Sequence, residues 1–339
     1  MKARELGVVV GEGAPGPLNA ITDVTGVRVG HTTLIEGDDV RTGVTVVLPP
    51  DELHFAGSHR LNGNGELTGL AWIRESGFLT TPVALTNTHS VGVVRDALCA
   101  AASAKADWSL PVVGETWDGL LNDIDGFHVT KEHVFEALQI ASGGPVVEGN
   151  VGGGTGMICH GFKGGIGTAS RVVDDYTVGV LVQANHGARS RLQVNGVAVG
   201  RALGQDRIPL PRRPPAGSSI IVVAATDAPL LTHQCERLAQ RTALGIARTG
   251  GAGENSSGDF ALAFATGNPG LAGDQKTISL EMLANEHING LFYAVIEATE
   301  EAIVNALLAA ETMTGKSGTV HRLDPDAFAE VMGAPARAR

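Results

Sequence analysis

Apolar and polar positions along the chain follow two periods. A two-residue alternation or a short unbroken apolar run reads as strand, and a stripe every three or four residues reads as helix. Between residues 21 and 49, the alternation around Val27-Arg28-Val29-Gly30, a polar loop at 36–41 and the run 44–48 closed by Pro49-Pro50 predict a strand pair. A turn cluster, Asn62-Gly63-Asn64-Gly65, precedes a helical stripe over 67–75. The pattern then predicts a buried strand at 81–87, a helix at 91–104, a polar loop region at 105–130 and a short helix at 131–142. Strands at 175–183 and 218–225, a helix at 230–244 and a long helix at 291–311 follow, with a weakly patterned tail after 318. The proline-rich segment 208–217 is the best linker candidate, but strands of similar character flank it, so one domain with a long loop is expected. Strands and helices in mixed order, without regular βαβ alternation, predict an α+β layered fold.

One switch of pattern stands out. Residues 250–254 are small and flexible, Asn255-Ser256-Ser257-Gly258-Asp259 is a polar cluster, and an apolar strand, 260–265, begins at once. These are the ordinary turn residues, and a surface turn is one reading. The other is that a serine at a strand mouth cuts the peptide bond before itself and becomes a new N-terminus. Serine needs a base to act as a nucleophile, and an α-amine, titrating near 7.7–8.0 against about 10.4 for lysine, can be that base.

Composition narrows the field. The chain of 339 residues is 43% hydrophobic and only 18% charged, which is globular and not disordered. Its net charge of −11, with no clustered Lys/Arg, argues against nucleic acid. The N-terminal residues MKARELGVVVGEGAPG hold no apolar region of signal-peptide length and no stretch reaches the length of a membrane span, so a cytoplasmic protein is expected. Cys99, Cys159 and Cys235 are odd in number and lack C-x-x-C spacing, which supports neither a disulfide framework nor a zinc site. The 46 glycines include a passage at 149–167, but no Gly-Lys-Ser/Thr follows Gly154 and Ser170 stands where a dinucleotide fingerprint needs glycine. Those glycines instead let the backbone pass close to something bulky or reactive.

NSSGD followed by an apolar strand resembles the processing site of the β-aminopeptidases and L-aminopeptidase/D-amidase-esterases, self-cleaving hydrolases related in fold to ornithine acetyltransferase. The resemblance recurs in order along the chain, in GPLNAITDVTGVRVGHTTL (16–34), LNGNGELTGLAWIRESGF (61–78), TNTHSVGVVRDA (86–97), GNVGGGTGMICHGFKGGIGTASR (149–171), ATDAPLL (225–231) and EATEEAIVNALLAAETMTGKSG (297–318). It implies a four-layer αββα sandwich and self-cleavage into an α-subunit, 1–256, and a β-subunit, 257–339, with Ser256 as a competing cleavage point. The enzyme implied is a serine aminopeptidase, an N-terminal-nucleophile hydrolase acting on small peptides and amino-acid amides. It would need no cofactor and no metal, and would assemble as a homo-oligomer of αβ units. An endo-acting amidase similar to the nylon-oligomer hydrolases, or a catalytically silent assembly protein of the same fold, are the alternatives.

The resemblance also assigns roles. Ser257 is the nucleophile, and Asn185 the oxyanion-hole residue. Thr299 and Glu301 contact the new α-ammonium, which would also offset the i, i+4 repulsion between Glu297 and Glu301. Glu148 is the carboxylate expected to bind the substrate's amino group, or else a solvated loop residue. His160, where relatives often carry tyrosine, is a candidate substrate-binding donor. Lys163 is either a buried cation that orients the site or an exposed loop side chain.

Overall fold

A computed structural model of the chain describes residues 1–50, 53–102, 108–211 and 218–334. Most of the expected linker, 212–217, and the last two residues of the helix expected at 91–104 lie outside them. In chain order, β1 (Arg28–Glu36) and β2 (Val40–Leu48) form the expected pair, followed by β3 (His54–Gly63), α1 (Leu70–Ser76), β4 (Phe78–Leu79) and β5 (Val83–Asn87). Next come α2 (Val91–Ala102), β6 (Val112–Thr116), α3 (Lys131–Ile140), the small ribbon β7 (Ile158–Cys159) and β8 (Phe162–Lys163), then β9 (Gly165–Val173) and β10 (Tyr176–Asn185). The short α4 (Val199–Ala202), β11 (Ser218–Thr226), α5 (Thr232–Arg248), β12 (Ser257–Ala265) and α6 (Asn289–Ala309) follow. The tail carries a ribbon, β13 (Met313–Gly315) with β14 (Gly318–Val320), and α7 (Pro325–Val331), whose N-cap Asp324 accepts from the Ala327 N–H with proline opening the helix.

Two sheets carry the fold, one ordered β1-β2-β5-β6 and one ordered β4-β3-β12-β11-β10-β9. Three apolar layers separate the elements. Val44, Val46 and Ala84 of the first sheet pack on Val94, Leu98 and Val134 of α2 and α3. Val47 and Leu85 meet Ile221, Val223, Leu262 and Phe264 between the sheets. Val222, Ala224, Ala261 and Ala263 face Leu238, Val295 and Ile303 of α5 and α6. The expected αββα sandwich is therefore observed. Strands in its middle are buried on both faces, which is why β11 and β12 read as unbroken apolar runs. On β12 the alternation sorts by size, alanines toward the helices and Phe260, Leu262 and Phe264 between the sheets.

Among the described strands of five or more residues, three escape the hydropathy pattern. β9 lies inside the glycine-rich passage, β6 inside the stretch read as loop, and β3 is rich in polar residues, yet each is held by neighbours on its own sheet. Among the described residues no helix is long and apolar enough to cross a membrane.

Candidate active site

Ser257 is the first residue of β12 and is 1% exposed. β11 runs parallel beside it, pairing Ser218 with Ser257, and β10 runs antiparallel on β11, pairing Asn185 with Ser219. β3 lies on the other side, pairing Gly63 with Gly258 and Asn62 with Asp259. One end of the six-stranded sheet thus gathers Ser257, Ser218, Asn185 and the 62–65 turn. Gly258 is required there, because a Cβ on it would lie 2.6 Å from the Asn64 carbonyl oxygen and 2.8 Å from Gly65 Cα.

The peptide before Ser257 is held from several directions. The Ser256 carbonyl oxygen accepts from Asn64 Nδ2 at 2.8 Å and from the Ser218 backbone N–H at 3.4 Å. Asn62 Nδ2 donates to the carbonyls of Glu254, at 2.6 Å, and Ser257, at 2.7 Å. The Ser257 hydroxyl donates to Asp259 Oδ1 at 2.6 Å, two residues along the strand and on the same face. Burial pushes the Asp259 carboxyl up to about 6, with the serine hydrogen bond pulling the other way. A hydroxyl, a carboxylate titrating near neutrality and two donors on the adjoining carbonyl oxygen can support acyl transfer.

A second carboxylate stands at the same mouth. Glu115, on β6 of the other sheet, accepts from the Glu66 N–H at 2.9 Å and from Thr88, and burial raises its pKa. A Cβ on Gly65 would lie 2.9 Å from Glu115 Oε1 and 3.1 Å from Gly258 Cα, so the carboxylate is held beside the start of β12. An open cleft of about 740 Å³ reaches Ser218 and Ser256, lined also by Ile158, Asn185, His186 and Glu254 among others. Asn185 is fixed at its wall, accepting from the Ile158 N–H at 2.7 Å and donating through Nδ2 to the Trp117 carbonyl at 3.0 Å.

Residues 19–321 match the model of peptidase family S58. The chain belongs to that family. It is 49% identical over 354 residues to the β-peptidyl aminopeptidase BapA of Sphingosinicella microcystinivorans, covering 95% of this chain and 89% of the relative. Among solved structures it is similar to a Burkholderia sp. β-aminopeptidase, at TM-score 0.93 and 52% identity over the whole of both chains. It is also similar to the L-aminopeptidase D-Ala-esterase/amidase of Ochrobactrum anthropi, at TM-score 0.89 and 43% identity over 98% of each chain, a protein described as a prototype serine aminopeptidase with a variant of the Ntn-hydrolase fold. The resemblance drawn from the motifs is borne out.

In this S58 chain the expected site residues separate into two groups. Ser257 and Asn185 meet at the same end of one sheet, two strands apart, which for strands about 4.8 Å from their neighbours is roughly 10 Å of backbone separation. Lys163 is fully buried, and its Nζ donates to the carbonyls of Met157 and Gly164 at 2.8 Å and of Gly154 at 3.3 Å, tying down the glycine passage behind the cleft. It is no exposed loop side chain. Burial lowers its pKa to about 7.

The remaining four sit elsewhere. Thr299 and Glu301 make no contact with Ser257. Thr299 returns its hydroxyl to the Val295 carbonyl at 2.7 Å within α6, at the contact with Gly245 of α5. Glu301 accepts from Arg171 at 2.6 Å, Asn19 at 2.6 Å and Arg4 at 3.0 Å. Its repulsion with Glu297 is offset by Arg171, which reaches both carboxylates, and not by a new α-amine. Glu148 is neither solvated nor in the cleft. It accepts from the Thr168 N–H at 2.7 Å in the middle of β9 and lies 3.5 Å from Lys2 Nζ. His160 is wholly buried, with Nδ1 against the Ala188 carbonyl at 3.1 Å, so its ring does not reach the cleft wall. Read from the sequence, Asp259, Asn62 and Asn64 are turn residues only, and Ser218 and Glu115 carry no site role. The repeated asparagines of the 61–65 motif, at the end of a strand, were the one signal that could have found two of them.

Proposed function

We propose that the chain cuts its own Ser256–Ser257 peptide bond and then works as a serine aminopeptidase, releasing N-terminal residues from small peptides and amides through an ester on Ser257. The observation that carries this reading is the arrangement around the Ser256 carbonyl. Ser257 Oγ attacks that carbonyl carbon while Asp259 takes the hydroxyl proton, and the negative oxygen is met by Asn64 Nδ2 and the Ser218 N–H. The C–N bond then breaks, Asp259 returns the proton to the departing nitrogen, and the acyl group is left as an ester that water hydrolyses. Residues 1–256 and 257–339 become α- and β-subunits, and the Ser257 amine becomes the base for turnover.

Turnover draws on the same mouth. Asn185 keeps one amide N–H on Trp117 and has a second to offer an oxyanion in the cleft. Glu115, which stands at the mouth where Glu148 does not, is in this reading the carboxylate that pairs with a substrate ammonium, as an exopeptidase needs, and the reading is supported by relatives named β-peptidyl aminopeptidase and L-aminopeptidase D-Ala-esterase/amidase. Assembly of αβ units into a homo-oligomer belongs to the same proposal, supported by exposed Ile278, Leu280 and Met282 on the segment between β12 and α6. A cytoplasmic location is supported by the free thiols of Cys99, Cys159 and Cys235.

The test compares the para-nitroanilide of β-alanine or alanine with its N-acetyl counterpart. Loss of one partner of a desolvated charge pair costs about 2–5 kcal/mol, so acetylation is expected to lower kcat/KM by roughly 30- to several-thousand-fold, and Glu115→Gln to erase most of that difference. Equal rates on the two substrates would replace the aminopeptidase with an endo-acting amidase.

A further inference from the structure

We propose that Cys159, His160 and His186 form a binding site for one soft monovalent cation, Cu(I), behind the wall of the active-site cleft. The three residues are buried, and one donor atom from each lies within 4.8 Å of the others. Cys159 ends β7, His160 follows it, and His186 follows the last residue of β10, so two separate elements bring the donors together. The two imidazoles meet edge to face with centroids 5.1 Å apart.

The hydrogen bonds set the donors. The Ala188 carbonyl oxygen can only accept, so the His160 nitrogen facing it, Nδ1, carries the proton and Nε2 is left as a bare lone pair. That Nε2 is buried and has no hydrogen-bond partner. A ring N–H anchored on a backbone carbonyl with the other nitrogen free is the arrangement that orients metal-binding histidines. His160 is held in this pose at φ +50, in the left-handed region that non-glycine residues seldom adopt. Cys159 Sγ lies 3.8 Å from His186 Nδ1. Metal bonds of about 2.3 Å to sulfur and about 2.05 Å to nitrogen separate two such donors by about 3.5 Å at a tetrahedral centre and about 3.8 Å at a trigonal one.

Charge selects the ion. The basic groups beside the cluster are Arg189, whose Nε donates to the His160 carbonyl at 3.1 Å, and the amine of Lys163, on the β8 strand that pairs with β7. A thiolate with Zn(II) would leave a net positive charge beside them in a desolvated site, whereas a thiolate with Cu(I) is neutral. Thiolate is also the ligand type that favours Cu(I), and a trigonal Cys–His–His shell needs no fourth ligand. On binding, the Cys159 proton leaves to solvent as the Cu–S bond forms, both imidazoles donate lone pairs, and copper stays in the +1 state. Access is through the cleft, where His186 is part of the lining next to Asn185.

The experiment is an anaerobic titration of the purified protein with Cu(I) against a colorimetric Cu(I) chelator, with X-ray absorption on the loaded protein. The account expects one Cu(I) per chain, a shell of one sulfur at about 2.3 Å and two nitrogens at about 2.0 Å. Affinity should fall at least about 100-fold in Cys159→Ser and in His186→Gln, beyond the 10–100-fold that losing an outer hydrogen bond costs. Absorption on the unsubstituted protein decides the matter even if a variant fails to fold. A shell without sulfur, unchanged affinity in Cys159→Ser, or uptake of Zn(II) in preference to Cu(I) would overturn the proposal.

Discussion

In the proposed self-cleavage, Asp259 is the side chain that makes the Ser257 hydroxyl at the mouth of β12 reactive. Its ionised form is the one that can take the Ser257 proton, so processing should accelerate as pH rises through about 6 and level off above it. Asp259→Asn should slow the appearance of the 257–339 fragment by about 10²–10⁴-fold, and Asn64→Ala by about 10²–10³-fold. Precursor refolded from denaturant and sampled on a denaturing gel measures both, and unchanged cleavage in Asp259→Asn would remove the carboxylate from the step. Ser257 and Asn185 could be picked out of the sequence because the family resemblance marks them, the apolar strands beside them giving only their place. The others could not, because Asp259 sits among turn residues, and Asn64 and Ser218 acquire meaning only when strand pairing sets them on one carbonyl. Glu148 drew attention by its place next to the glycine passage, whereas Glu115 reaches the mouth through the parallel pairing of β6 with β5, a contact no local pattern announces.

α6 shows how far a stripe of apolar residues can mislead. Leu291, Val295, Ile303 and Leu307 predict a one-faced helix, but sixteen of its residues are buried, Thr299 and Glu301 with them. Polar groups on such a helix need partners inside the protein, and Arg171 of β9 is the partner of both Glu297 and Glu301. Removing one member of a buried ion-pair network leaves an uncompensated charge, so Arg171→Ala should lose about 3–5 kcal/mol of stability. Glu301→Gln should also lower the melting temperature while, at a temperature where it is folded, kcat and cleavage before Ser257 stay near those of the unsubstituted protein. Loss of turnover in folded Glu301→Gln would return α6 to the active site.

At the scale of the whole molecule, two inner strand layers leave ionisable groups in a dry interior, and Lys163 is the most consequential. Between about pH 7 and its ordinary 10.5, the unfolded chain holds a proton on this amine that the folded chain lacks. Unfolding therefore takes up a proton, and stability rises with pH across that window by at most about 1.4 kcal/mol per unit. The Cys159 thiol, pushed up to about 12 by burial, acts in the opposite sense only above about pH 9. Urea midpoints should climb from pH 7 to pH 9, and Lys163→Met should flatten the climb; a flat profile in the unsubstituted protein would contradict the lowered pKa of the buried amine. Mixed strand and helix order makes an α+β layered fold legible and the family resemblance supplies its four layers, while the pairing of β3 and β9 into the larger sheet is hidden by their glycine and polar content.

The central claim is that the chain remakes its own N-terminus at Ser257, and intact mass spectrometry of the purified protein tests it most directly. The account predicts two species whose masses correspond to residues 1–256 and 257–339, the second beginning with Ser257, and a single uncut chain in Ser257→Ala. A chain that stays whole in the unsubstituted protein, or a second fragment beginning at Ser256, would contradict it.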